Sequence, residues 1–156
     1  MDYAIHLYVP KTGTLTPKMV EWLYQNGQSV DQPEIFWPVR KIIPRKLGRI
    51  LYNFDKSLIP KPAPNQDVEF AYPMEQLGLR LYLHERGVII GFLYMGGGLA
   101  RITLGIVYTY IRFLYENAGF WSYDPQLNVI SYADDFQSID ETAQLMDELL
   151  PKMLSG

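Results

Sequence analysis

The chain has no cysteine among its 156 residues, which excludes thiolate catalysis, zinc–thiolate and iron–sulfur centres and disulfide scaffolds. Only two histidines are present, so no metal site and no cofactor is expected. A run of like charge is also missing. The 14 basic and 17 acidic residues leave a net charge of −3, and neither a nucleic acid nor an anionic membrane is expected as a partner, because both are recognised by clustered Lys and Arg. The opening Met-Asp-Tyr-Ala-Ile-His lacks the basic and then apolar pattern of a secretory leader, and a cytoplasmic location is expected. Residues 87–111 carry one charge, Arg101, and are long enough to span a bilayer. Three consecutive glycines, Gly96 to Gly98, interrupt the run, so a spanning helix is not expected.

What the chain does have is 48% hydrophobic residues, with 12 Tyr, 7 Phe and 3 Trp. A chain of this length buries enough surface to fold without staples. The expected organisation is a single α+β domain over residues 1–156, with a mainly antiparallel sheet of about 4–6 strands and two or three helices packed on it. Tyr3 to Val9 alternates apolar and polar residues and reads as a strand closed by Pro10. Thr16-Pro17 opens a helix and Gly27 ends it. Prolines punctuate residues 28–65 and leave room for one short helix, Arg45 to Asp55, with Leu47, Ile50, Leu51 and Phe54 as its expected buried stripe. The stretch from Pro60 to Pro64 is expected to run extended over the surface. Val68 to Tyr72, Leu79 to His84 and Val88 to Tyr94 read as strands, the last apolar on both faces and therefore central. A hairpin joins the last two, with Gly87 expected at positive φ. A long, broadly apolar helix, Arg101 to Asn117, is followed by Gly119, short strands at 120–123 and 129–132, and a capping box that opens a helix over 138–150.

Three constellations invite chemistry. Tyr132-Ala-Asp-Asp-Phe136 resembles the metal-binding hairpin of reverse transcriptases, but a short motif in a chain without a template groove is better read as Asp134 and Asp135 solvating a loop. Gly96, Gly97 and Gly98 with Arg101 lie between strand and helix, where backbone N–H groups can hold an anion. The third is a sheet face. In matching register His6 and Tyr8 share a face with Arg80, Tyr82 and His84, with Glu69 nearby, and a histidine beside a carboxylate suits acid–base work near neutral pH. No Ser or Thr has a nucleophile's setting, so no catalytic residue is assigned.

The stretch Tyr115-Glu-Asn-Ala-Gly119-Phe-Trp-Ser-Tyr-Asp124-Pro-Gln126-Leu-Asn-Val-Ile130 resembles the end of a group of small uncharacterised bacterial proteins. In these a long helix ends in an Ala-Gly-Phe turn followed by Tyr-Asp-Pro-Gln and a short strand. The resemblance implies a shared fold and carries no activity. Read from the residues alone, Asp124-Pro125 initiates a turn and Gln126 bonds neighbouring backbone.

The expected function is that of a small, non-catalytic binding or assembly module that self-associates or binds another protein, motivated by the apolar helix Ile102 to Tyr115. One alternative is a small-ligand binder or enzyme using the Gly96 to Arg101 turn or the His6/His84 face. Another is an immunity-type or regulatory inhibitor of an intracellular protein.

Overall fold

The computed structural model describes residues 2–29, 31–93 and 97–132. Seven strands form one sheet: β1 (Asp2–Tyr8), β2 (Ile59–Lys61), β3 (Val68–Ala71), β4 (Arg80–His84), β5 (Gly87–Leu93), β6 (Trp121–Asp124) and β7 (Val129–Ser131). Among the described residues three α-helices accompany them: α1 (Pro17–Asn26), α2 (Pro44–Phe54) and α3 (Gly97–Ala118). The sheet order is β2-β3-β4-β5-β1-β6-β7 and each pairing is antiparallel. The fold is α+β, with more strands than the sequence pattern predicts. Residues 138–150, the expected final helix, and Asp134 and Asp135 lie outside the described residues.

Alternation sorts the strands into two faces. On the first, Tyr3, Ile5, Leu7, Leu81, Leu83, Val88, Ile90 and Phe92 are buried against Leu47 and Leu51 of α2 and Leu104, Val107, Tyr110 and Leu114 of α3. On the second, Tyr8, Trp121, Tyr123 and Ile130 pack with Leu23 of α1 and with Leu15, Trp37 and Val39. Three layers result, with the sheet in the middle. β5 takes the central position, as its two apolar faces require. The apolar run 87–111 is divided between β5 and α3, and among the described residues no helix is long and apolar enough to cross a membrane.

Local chemistry explains most boundaries. Thr16 caps α1 by accepting the Met19 N–H, with Pro17 in the first turn. Gly119, at φ 74°, lets the chain leave α3 for β6. The short edge strand β2 was expected only as an extended surface run. Its Pro60 is tolerated because one side of an edge strand needs no ladder partner.

Three expectations are corrected. The long helix, α3, begins at Gly97 and not at Arg101, so Gly97 and Gly98 belong to its first turn. Gly87 is not the positive-φ residue of the β4–β5 turn; it is the first residue of β5, paired with His84, and Glu85-Arg86 make the turn. Glycine is required there for space, since a Cβ would lie 2.3 Å from the Leu7 carbonyl oxygen. The stripe of α2 is also rotated. Leu47 and Leu51 are buried, but Ile50 is 42% and Phe54 43% exposed. The buried face is centred instead on Pro44, Leu47, Gly48 and Leu51, because Gly48 admits the helix against Val68 and Phe70, where a Cβ would stand 3.2 Å from the Val68 methyl.

Candidate functional site

The sheet register assembles the predicted polar face. Glu69 pairs with Tyr82, Tyr82 with Ile89, Ile89 with His6, and His6 with Tyr123, so these residues form one cross-strand row on the second face. His84 and Tyr8 stand on the same face one pleat further along. Arg80 is at the other end, in an exposed ion pair with Asp2 at 3.4 Å. The His6 and Tyr8 rings stack at 6.3 Å, and the Tyr82 and His84 rings lie 6.4 Å apart.

The polar atoms on this face are held by local bonds. The Tyr82 hydroxyl donates to Asp67 at 2.6 Å, which together with burial pushes its pKa up to about 12. The Arg86 N–H donates to Nδ1 of His84 at 3.2 Å, leaving the proton of the neutral ring on Nε2. Burial pushes both histidines below their ordinary value of 6.5. Asp124 near His6, and Asp67 and Glu85 near His84, act in the opposite direction and do not prevail. Both rings are therefore neutral at pH 7.

Beside His84 lies a polar pocket of about 550 Å³ whose lining includes Gln32, Trp37, Asn65, Asp67, His84 and Arg86. Arg86 is fixed there: its guanidinium sits 4.0 Å over the Trp37 ring and forms a bidentate pair with Glu34. That pairing holds the Glu34 carboxyl down at about 2. The arrangement offers hydrogen bonds to a polar ligand. Among the described residues no Ser or Thr hydroxyl is bonded to either histidine, so no nucleophile–base pair is formed. Among the described residues no group of three His, Asp or Glu side chains is placed to hold a metal ion.

The chain, compared with known proteins, matches no family model and no curated sequence.

The second predicted constellation is separate from the first. Gly97 and Gly98 form the start of α3 and Arg101 is exposed on its first turn, while Gly96 lies outside the described residues. His84 pairs with Gly87 at the start of β5 and stands on the second face of the sheet, whereas α3 packs on the first, so the sheet lies between them. The two sets cannot act on one small ligand.

Sequence reasoning missed a third feature. Residues 35–54 contain Arg40, Lys41, Arg45, Lys46 and Arg49 and no Asp or Glu. The signal was legible in a local charge count, and the even balance of the whole chain concealed it. All five are exposed. Next to them Ile43 is 65% exposed, and a groove of about 320 Å³ opens between α2 and the end of α3.

Proposed function

We propose that the protein is a non-catalytic binding module, working in the cytoplasm, whose contact surface is the outer flank of α2. The observation that carries this reading is the exposure of Ile43 at the N-cap of α2 and of Ile50 and Phe54 within it, on a helix whose inner residues Leu47 and Leu51 are used by the core. Exposed apolar side chains in a line on a helix, rimmed by charge, mark interaction surfaces. The lack of cysteine is compatible with the reducing compartment.

Self-association through α3, the motive drawn from its apolar breadth, has less support. Leu104, Val107, Tyr110 and Leu114 are buried in the core, and Ile111 is only 8% exposed. Among the described residues the exposed large apolar side chains on α3 are Leu99 and Ile102, with Ile106, Tyr108, Phe113 and Tyr115 half-buried.

The test is site-specific photo-crosslinking in cells, with a benzophenone amino acid replacing Ile50 in one strain and Ile59 of the β2 edge in another. A discrete adduct at Ile50 and none at Ile59 is expected. An adduct of twice the chain mass would assign a second copy, and another discrete mass a different protein. Equal smears from both positions would count against the reading.

A second reading is favoured by the polar pocket beside His84: a small-molecule binding protein. Its ligand would raise the melting temperature of the wild type and leave that of His84→Ala unmoved.

A further inference from the structure

The outer flank of α2 is both apolar and strongly basic in a chain whose net charge is −3. The floor of its groove includes Val9, Ile42, Leu47 and Phe120, and Lys46 and Arg40 stand among its walls. Lys41 is neutralised by Glu85 at 2.5 Å. Among the described residues Arg40, Arg45, Lys46 and Arg49 have no ion pair. Resting on the binding-module reading, we propose that this groove takes an acidic amphipathic helix of another protein, its apolar side chains on the floor and its carboxylates on the basic rim.

The competing occupants fit less well. A second copy docking this face on itself around a two-fold axis would bring the same unneutralised cations together. A nucleic acid presents phosphates, which find nothing to bond to on an apolar floor and no role for the exposed Ile43 and Ile50. A lipid surface is broad, whereas the apolar part here is a concavity of about 320 Å³, sized for side chains that project from a helix at i and i+4. Opposite charge on the rim steers and orients such a helix, and the apolar floor holds it.

The test is fluorescence anisotropy of the full chain with labelled synthetic helices. One probe has leucines at i, i+4 and i+7 and glutamates at the remaining positions; two others replace the glutamates by lysines or by glutamines. A DNA duplex and phosphatidylglycerol vesicles complete the set. The glutamate helix is expected to bind, more weakly as salt rises. Lys46→Glu with Arg49→Glu should weaken it at least about tenfold. Ile43→Ser with Ile50→Ser should do the same without unfolding the protein, because both side chains are exposed and the hydroxyl introduced by Ile43→Ser supplies the N-cap bond that α2 lacks. Equal binding of the glutamine or lysine helix, lost in the Ile43/Ile50 variant, would overturn the acidic partner and leave the binding module standing. Binding of only the duplex or the vesicles would likewise overturn it. Failure of every probe to bind would overturn the acidic helix, and the crosslinking at Ile50 would then decide the binding-module reading by itself.

Discussion

Asp124 gathers four donors on one buried carboxylate: the Tyr3 hydroxyl on Oδ2, and on Oδ1 the N–H groups of Gln126 and Leu127 and the Gln126 side-chain amide. Gln126 in turn accepts the Ala4 N–H at 3.1 Å and donates to the Ala4 carbonyl at 2.8 Å, standing in for a strand where β6 stops pairing with β1. Removing the carboxylate leaves those donors unsatisfied. Asp124→Ala should therefore cost about 2–4 kcal/mol in urea unfolding. A loss under about 0.5 kcal/mol would show that these bonds add little to the stability of the turn. The histidines give a pH prediction. Burial lowers both pKa values below the unfolded 6.5, so the unfolded chain binds more protons between the folded and unfolded values. Stability is then fully present above pH 6.5 and falls as pH drops below it. The double variant His6→Gln, His84→Gln should flatten that limb of a melting-temperature profile. At Glu34, a carbon-detected NMR titration should give a midpoint near 2, and Arg86→Ala should return it toward 4.5. The turn at Asp124 and the shared face of His6, Tyr82 and His84 were legible, because an Asp-Pro pair and a strict two-residue alternation each have few solutions. The partner of the Tyr82 hydroxyl was not, since Asp67 reaches it across a strand pairing that spacing does not specify.

At the scale of elements, α1, α2 and the strands of the sheet core announce themselves through caps, prolines and period, and their predicted limits fall within a residue or two of the observed ones. What stayed hidden is rotation. A stripe of Leu47, Ile50, Leu51 and Phe54 is one reading of α2, and a helix turned about Gly48 is another with the same period. The choice between them is made by the sheet, where Val68 and Phe70 meet the helix backbone. That contact is testable. Gly48→Leu should cost about 1–3 kcal/mol by crowding Val68 and Phe70. Gly48→Ala, which adds helix propensity worth about 1 kcal/mol against a contact of 3.2 Å that Val68 can relieve by a small shift, should leave stability within that range of wild type. If both variants melt like wild type, Gly48 does not set the approach of α2 to the sheet.

For the molecule as a whole, the exposed edge of β2 bears on solubility. Ile59 and Lys61 flank Pro60, and Pro62 and Pro64 follow, so an incoming strand finds missing N–H donors where it would pair. Pro60→Val with Pro62→Val should shorten the lag of thioflavin-detected aggregation under agitation; an unchanged lag would mean that the edge is guarded by something else. The antiparallel α+β class was legible from the pattern of short strands between turns, and the order of the strands was not, because β1 and β6 are far apart in sequence and pair through contacts that no local rule encodes. That order has a consequence in time. β1 is the earliest strand of the chain, yet it lies between β5 and β6, and the last bonds to Ala4 come from a residue 122 positions downstream. During synthesis β1 thus waits for β5 before it pairs at all, and β6 and β7 are added to its other side later. A nascent chain must hold Tyr3, Ile5 and Leu7 without strand partners until β5 has emerged about 80 residues later, and it gains β6 and the Asp124 turn only after α3, so the first strand is the segment that a chaperone would shelter.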